Sequence, residues 1–325
     1  MAFAFGYAPP LMIEAGVRHG LFDALVQQPL DIDALTSQTG TSRRGMTALA
    51  NGLVGLGLLQ RDAQGCYALT PESSAFLVSA KPEFRGGLFK HASTQLMPKW
   101  LQLTEAVKTG LPVQQVNEHD VGAAFFQQFV EDIYPMSAAA AQVLADELDV
   151  GRMQGPVPVL DIASGSGVWG IAMARSSPQV QVTAVDWSEV LPVTRRIAAQ
   201  QGVAPQFNFI AGDILQAPLG NGYQVATLGH ILHSEGEERG KRLLFRVFDA
   251  LASGGTIAIA EFLVNHDRTG PANGLIFALN MLVNTSHGTT WSFEEIGSWL
   301  EMAGFGRARL VNAPGPSPLI LATKP

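Results

Sequence analysis

The hydrophobic pattern of residues 151–325 predicts strands and helices that alternate. Apolar runs typical of strands occur at VPVLDIA, VQVTAVD, FNFIAGD, YQVATLG and GTIAIAE, and segments with helical spacing separate them, including one from about Glu237 to Leu251. Such alternation is typical of a parallel sheet with helices on both faces. The last two runs, ARLVNA and LILATK, are joined only by a short Pro-Gly-Pro connection. The final strand must therefore run antiparallel in an otherwise parallel, doubly wound α/β sheet.

Residues 1–85 show a different pattern, in which short helices precede a hairpin. The segments LMIEAGVRHGLFDAL and LDIDALTSQTG have apolar residues at helical spacing, Gly40 ends the second, and Ser42 can cap a third helix. RDAQGCYALTP then predicts a turn between two strands, which completes a winged helix. The third helix presents leucines and glycines where a recognition helix would present basic and polar side chains. We therefore expect this domain to form a dimer interface and not to bind DNA.

Residues 86–150 predict a helical linker that is rich in aromatic residues. Pro135 is expected to begin or kink a helix here. Two interpretations of the large apolar side chains stay open: they pack between domains, or they form an apolar wall for a flat substrate. The candidates for such a wall are Phe125, Phe126, Phe129 and Met136, with Phe277 from the later part of the chain.

The segment PVPVLDIASGSGVWGIAMA, residues 156–174, has the pattern of a nucleotide site at the end of a first parallel strand. Gly165 and Gly167 lack a Cβ atom, so a ligand can lie against their backbone at the start of a helix. GSGVWG matches the dinucleotide fingerprint, with the acidic Asp186 about 20 residues on. Asp161, however, places a negative charge where a pyrophosphate would be repelled. A cationic ligand without phosphate, S-adenosylmethionine, fits this charge better.

Carboxylates also follow the next two predicted strands. Asp186 can accept hydrogen bonds from both hydroxyls of a ribose, and Asp213 can accept one from an adenine amino group while Ile214 packs on the ring. A single aspartate at a strand end can equally be a helix cap or a turn residue. Three of them on parallel strands converge on one crevice at the sheet edge, which favours a shared ligand.

Composition excludes several other classes of protein. The chain has 325 residues, a net charge of −7 and a single cysteine, Cys66. This rules out a disulfide framework and argues against a nucleic-acid partner. No apolar run reaches the roughly 20 residues that span a bilayer, and the apolar start lacks the basic region of a signal peptide. We expect a cytoplasmic protein without a membrane partner.

Taken together, these segments resemble the small-molecule O-methyltransferases typified by caffeic acid and hydroxyindole O-methyltransferases and their bacterial natural-product relatives. The resemblance is carried by LDIASGSG, AVDWSEV, AGDIL, LGHILHSEGEE, AIAEFLV and TTWSFEEIGSWLEMAGF, and it covers the whole chain. It implies a Rossmann-like methyltransferase sheet over residues 151–325. It also implies a winged-helix dimerisation domain, a homodimer, S-adenosyl-L-methionine as methyl donor and no metal.

The resemblance also implies roles for individual residues. The catalytic base falls on His233 and the residue that orients it on Glu261, while Met281 and Asn284 fall where family members contact the acceptor. The candidate donor-site residues are Asp161, Ala163, Gly165, Gly167, Asp186, Trp187, Gly212, Asp213, Ile214 and His230. The chain departs from the family pattern at four of its positions, which here are Ala163, Gly229, Ser234 and Thr290.

These features together predict methyl transfer to a hydroxyl of a small aromatic or polyketide-like acceptor. Two alternatives stay open: a donor-binding relative with decarboxylase, hydroxylase or pericyclase activity, and a winged-helix regulator that senses a ligand. His230, His233 and Glu235 have a spacing that metal ligands also use, but no further ligand is evident nearby. The identity of the acceptor cannot be inferred from the sequence.

Overall fold

Short helices and one hairpin make up the amino-terminal part of the chain. The structure, a computed structural model, describes residues 4–116 and 119–325 in two units, the first ending at Pro98 and the second beginning at Lys99. Elements up to the boundary are α1 (Ala8–Arg18), α2 (Leu21–Ala24), α3 (Ile32–Thr39), α4 (Arg43–Gly55), β1 (Leu59–Arg61), β2 (Tyr67–Leu69), α5 (Pro71–Phe76), α6 (Gly86–His91), a π-helix (Ala92–Leu96) and α7 (Met97–Trp100).

Local sequence signals account for the helix ends in the first unit. Gly40, with φ of 64°, ends α3, and the Ser42 side chain accepts a hydrogen bond from the Gly45 N–H at the start of α4. The first predicted helix is divided in two, because Gly20 adopts a left-handed conformation between α1 and α2. The hairpin of β1 and β2 is antiparallel, as predicted.

The third predicted helix, α4, uses much of its apolar surface inside its own unit. Met46, Ala50 and Leu53 are buried in the core of the first unit, whereas Leu56 is 42% exposed. The apolar character of this helix is therefore explained in part by local packing. The winged-helix interpretation and the interface stay predictions.

The second unit contains the predicted alternation of strands and helices. Its elements are α8 (Leu103–Thr109), α9 (His119–Asp132), α10 (Tyr134–Glu147), a 3-10 turn (Val150–Arg152), β3 (Val157–Ile162), α11 (Val168–Ser176), β4 (Val180–Asp186), α12 (Leu191–Gln200), a 3-10 turn (Ala204–Gln206), β5 (Phe207–Ala211), β6 (Tyr223–Gly229), α13 (Leu232–Ala250), β7 (Leu251–Ala260), α14 (Ala272–Asn284), α15 (Phe293–Met302), β8 (Arg309–Val311) and β9 (Leu319–Thr323).

The sheet of the second unit has the strand order β5-β4-β3-β6-β7-β9-β8. Strands β3 to β7 pair in parallel, and β9 runs antiparallel to both β7 and β8. This confirms the predicted α/β sheet with its antiparallel last strand. Because β3, β4 and β5 are neighbours, the residues that follow them lie at one edge of the sheet.

Apolar side chains cover both faces of this sheet. One cluster contains Trp169, Met173 and Val193 from α11 and α12, and the other contains Leu243 and Trp299 from α13 and α15. When helices cover both faces of a sheet, side chains on both sides of each strand are buried and its sequence is nearly continuously apolar. This explains the pattern of VPVLDIA and GTIAIAE. None of the helices in residues 4–116 and 119–325 combines the length and apolar character that a membrane crossing requires.

Two element boundaries differ from the sequence prediction. Helix α13 consists of two helical segments on either side of a kink at Gly236 (φ 74°, ψ 175°): a short one from Leu232, which was not predicted, and the one predicted from about Glu237. Strand β5 ends at Ala211, so Asp213 lies in the loop that follows and not in the strand. A glycine lies at each of these boundaries, Gly236 at the kink of α13 and Gly212 directly after β5. The division into 1–85, 86–150 and 151–325 stays a prediction.

Candidate active site

The predicted glycine-rich turn lies between β3 and α11, and three of its residues are left-handed. Gly165 and Gly167 have φ of 53° and 75°, and Ala163 shares this region with φ of 51°. An alanine there is strained, which explains why glycine is the usual residue at that position of the resembling family. The Thr194 hydroxyl donates to the Gly165 carbonyl over 2.7 Å and ties the turn to α12.

Asp161 lies beneath this turn and not at its surface, and its predicted action on a ligand stays a prediction. Its side chain is 0% exposed, and it accepts hydrogen bonds from the Thr227 hydroxyl (2.7 Å) and the Gly170 N–H (3.1 Å). Burial raises its pKa to about 7. Asp161 therefore joins β3, β6 and α11 below the site.

Asp186 ends β4 beside the same turn, as the sequence predicts. One carboxylate oxygen accepts from the Gly165 N–H (2.8 Å) and the other from the Trp187 N–H (2.7 Å). Burial raises the pKa of Asp186 to about 6, although both hydrogen bonds lower it. Each oxygen keeps a second acceptor direction, which two ribose hydroxyls could use.

Asp213 belongs to an ionic chain that the sequence analysis missed. One of its oxygens accepts from the Leu215 N–H (2.7 Å), and the other pairs with Arg239 (3.2 Å), which also pairs with Glu235 (2.6 Å). The spacing of Glu235 and Arg239 by four residues is the signal that could have revealed the pair. It was missed because the helix was predicted to begin after Glu235.

The other candidate donor residues lie around these carboxylates. Gly212 has φ of 146°, and Ile214 is 8% exposed within the core on the α13 side. Trp187 packs edge-on against Phe126 of α9, with ring centres 5.9 Å apart. His230 contacts Ser317 through Nε2 (2.9 Å), and burial lowers its pKa to about 4.

The most specific geometry involves His233 and Glu261. His233 Nδ1 lies 2.7 Å from Glu261 Oε1, and the His233 N–H donates to the second carboxylate oxygen over 3.1 Å. Glu261 is fully buried and His233 is 8% exposed. Burial raises the pKa of Glu261, but the charge and hydrogen bond of His233 outweigh it and hold that pKa below its usual range. A carboxylate only accepts, so Nδ1 carries the proton and Nε2 is left to accept one.

Aromatic rings surround this histidine. The ring of Phe277 meets His233 edge-on at 4.9 Å, and Phe262, which the sequence analysis did not single out, lies 5.9 Å from it. Phe262 and Phe277 pack on each other at 4.1 Å. The sequence signal for Phe262 was its position directly after Glu261. A flat apolar molecule could pack against these rings.

The predicted acceptor residues fall on three helices. Phe125 and Phe129 of α9 pack on each other at 5.4 Å, and a Cβ atom at Gly165 would lie 3.2 Å from Val130, so α9 covers the glycine-rich turn. Buried Met281 and Asn284 share α14 with Phe277. Met136 is half-buried in the first turn of α10, and its carbonyl faces Gly315. Pro135 begins that helix, as predicted.

The structure shows what surrounds Gly229 and Thr290, two of the positions at which the chain departs from the family pattern. A Cβ atom at Gly229 would overlap the indole nitrogen of Trp169, so the Trp169 ring leaves no room for a side chain at this position. Thr290 is buried, and the neighbouring Thr289 N–H donates to the His233 carbonyl over 2.8 Å. In the described part of the chain, no three histidine, cysteine or acidic side chains are placed to hold a metal ion.

Comparison with known proteins gives a consistent result. Residues 100–306 match the family model of the O-methyltransferase domain, and residues 1–79 match the O-methyltransferase dimerisation domain. The chain is 30% identical to 3-hydroxy-5-methyl-1-naphthoate 3-O-methyltransferase of Streptomyces sahachiroi, covering 96% of this chain and 91% of that protein. It is 30% identical to the tetracenomycin polyketide synthesis 8-O-methyl transferase of Streptomyces glaucescens, covering 100% and 95%. The structure of Serratia PigF with S-adenosylhomocysteine superposes with a TM-score of 0.86, at 25% identity over 99% of this chain and 98% of that one.

Proposed function

Because the chain belongs to the S-adenosyl-L-methionine-dependent O-methyltransferase family, we propose that it methylates a hydroxyl of a small aromatic or polyketide-like molecule, with His233 as general base. The observation that carries this proposal is the buried contact of 2.7 Å between His233 and Glu261, next to the rings of Phe262 and Phe277. The contact with Glu261 fixes the tautomer of the proposed base His233, and the two phenylalanine rings offer an apolar surface on which an aromatic acceptor can pack.

The base has one task, which is to take the proton of the acceptor hydroxyl. When bound, the donor supplies a methyl group that its sulfonium already activates. A phenol near pKa 10 and a histidine near 6.5 differ by about 3.5 units, or about 5 kcal/mol for complete proton transfer before attack. His233 Nε2 lowers this cost by taking the proton as the new bond forms. Glu261 holds the imidazole in place and stabilises the charge that it gains.

The donor would lie along the edge formed by β3, β4 and β5. Asp186 would accept from the ribose hydroxyls, Asp213 from the adenine amino group, and Ile214 would pack on the adenine. The left-handed turn at Gly165 and Gly167 leaves backbone free of side chains, which fits a nucleoside lying against it. Asp161, buried below, supports the turn and would act on the donor only through its charge.

The acceptor side of the proposal is an apolar wall. Phe125, Phe129 and Met136 from the helices before the sheet, with Phe277, Met281 and Asn284 from the later part of the chain, would contact the acceptor. The named substrates of the two Streptomyces relatives, a hydroxynaphthoate and a tetracenomycin polyketide, support an aromatic acceptor. The dimerisation domain supports a homodimer formed through residues 1–85.

The test is formation of S-adenosylhomocysteine by the purified protein with a panel of phenols, hydroxynaphthoates and aromatic polyketides. The proposal expects stoichiometric formation of S-adenosylhomocysteine and of an acceptor heavier by one methyl group on oxygen. Conversion of an acceptor without S-adenosylhomocysteine would favour a decarboxylase, hydroxylase or pericyclase. Failure with the whole panel, although the donor binds, would contradict the proposed acceptor class.

A further inference from the structure

A buried lysine stands beside the proposed acceptor site without a counter-charge. Lys99 is 8% exposed, and its ammonium has no hydrogen-bond or ion-pair partner among the described residues. The ammonium lies 4.7 Å from the centre of the Phe125 ring, a cation–π contact that compensates only part of its lost hydration. Burial lowers the pKa of Lys99. An unpaired buried ammonium reduces stability, so its presence calls for an explanation.

Lys99 and its neighbour Trp100 contact two of the three helices that carry the proposed acceptor residues. Phe125 belongs to α9, and the indole N–H of Trp100 donates to the Asn280 side-chain oxygen on α14 over 2.9 Å. Asn280 lies one turn from Phe277, whose ring contacts the proposed base His233 at 4.9 Å. Lys99 therefore contacts the aromatic cluster of α9, while the residue next to it is bonded to the helix that carries Phe277.

A second unsatisfied atom lies in the same network. Asn284 donates through its amide nitrogen to the Asn280 backbone carbonyl (2.8 Å) and side-chain oxygen (3.2 Å). Its own Oδ1 is buried and has no partner among the described residues. The Trp100–Asn280 hydrogen bond is thus flanked by an ammonium that lacks an acceptor and an amide oxygen that lacks a donor. Buried polar atoms left unpaired in this way are uncommon and point to a missing partner.

We propose that the acceptor carries an acidic group, a carboxylate or an ionised phenol or enol, whose negative charge pairs with the Lys99 ammonium while Asn284 Oδ1 accepts from one of its N–H or O–H groups. This rests on the proposed function and narrows its substrate class to acidic hydroxyaromatic compounds. A neutral acceptor would leave the ammonium unpaired in a drier site. The carboxylate of the donor is the other available anion, but the ammonium of Lys99 lies on Phe125, a residue of the proposed acceptor wall.

The test compares a hydroxynaphthoate with its neutral carboxamide, using the full-length protein saturated with S-adenosylhomocysteine. Calorimetry is expected to show the acid binding about 10- to 100-fold more tightly than the amide, the value of one charge-assisted hydrogen bond. Lys99→Met, which keeps the length of the side chain, should abolish this preference, and Lys99→Arg should retain part of it. The exposed Lys108→Met is the matched control and should leave the preference unchanged.

Two further measurements separate this role from a structural one. Lys99→Met should unfold at a higher temperature than the wild type, because an unpaired buried charge has been replaced by an apolar chain. Its affinity for S-adenosylhomocysteine should not change. Loss of that affinity would assign Lys99 to the donor and overturn the proposal. So would an unchanged acid preference in Lys99→Met, an equal affinity of the wild type for acid and amide, or no binding of either. None of these results depends on turnover, so failure of the proposed methyl transfer remains a separate outcome.

Discussion

The donor side and the acceptor side of the candidate site differ in how completely their polar atoms are satisfied. On the donor side, Asp161 and Asp186 each accept two hydrogen bonds from within the protein. On the acceptor side, Lys99 Nζ and Asn284 Oδ1 are buried without partners among the described residues. The first arrangement is complete within the protein, and we propose that a bound acceptor completes the second. We infer that the acceptor side carries the specificity of this chain.

The largest expected effect concerns the acceptor side. Glu261→Gln removes the charge that orients His233 and should lower kcat by about 10²- to 10⁴-fold, the usual contribution of a positioned general base. Affinity for S-adenosylhomocysteine should not change. Steady-state kinetics and calorimetry on the same preparation check both. Glu237→Gln, on the exposed face of α13, is the control. Weakened donor binding in Glu261→Gln would show that the two sides are not separate.

The complementary variant acts on the donor side. Asp186→Asn is expected to weaken donor binding by about 10- to 100-fold, because a charged acceptor of the ribose hydroxyls is lost. The affinity for an acceptor alone should remain. Calorimetry with S-adenosylhomocysteine measures the effect, and the exposed Asp249→Asn should behave as the wild type. An unchanged donor affinity in Asp186→Asn would contradict the placement of the ribose at β4.

A third prediction concerns the tight packing of Trp169 against Gly229. Gly229→Ala would force a methyl group against the Trp169 indole, and we expect it to reduce the free energy of unfolding by about 1–3 kcal/mol. Gly240→Ala is the control, since its Cβ would have ordinary contacts at 3.6 Å inside α13 and should raise stability by about 0.4–1 kcal/mol. Denaturant unfolding measures both. Equal effects would mean that Trp169 moves aside freely.

A smaller effect concerns pH. Burial raises the pKa of Asp186 to about 6, so part of its population is protonated in the ligand-free protein near pH 6. A cationic donor favours the ionised form, so its binding should release protons and strengthen as pH rises from about 5 to 7. Because the folded-state pKa of Asp186 lies above its ordinary value of 3.8, the ligand-free protein should lose stability as pH rises from about 4 to about 6. Calorimetry in buffers of different ionisation enthalpy counts the protons, and proton uptake on binding would contradict the account.

The fold followed from the sequence because its signals are local. The alternation of VPVLDIA with GIAMARSS and the short final connection fix the parallel sheet and its antiparallel end, as the strand pairing confirms. The glycine-rich turn after the first strand of the sheet was likewise readable in the sequence. The contact between His233 and Glu261 was expected only from the family resemblance, since no spacing rule joins residues so far apart.

The remaining features depend on tertiary packing. The full burial of Asp161 could not be read from the sequence, because Asp161 and Asp186 both follow apolar runs, yet only Asp161 is fully buried. The pairing of Asp213 with Arg239 joins the loop after β5 to α13, and no local pattern in the sequence links residues so far apart. Lys99 was missed because a lone lysine in a helix is normally solvent-exposed, and only packing shows it to be buried.

The central claim is that His233 serves the acceptor and not the donor, and the most direct measurement is made on His233→Ala. Formation of S-adenosylhomocysteine with a phenolic acceptor should fall by about 10²- to 10⁴-fold. The dissociation constant of S-adenosylhomocysteine should stay within about threefold of the wild-type value, a change below ~1 kcal/mol. Turnover at the wild-type rate, or a loss of donor binding parallel to the loss of turnover, would contradict the account.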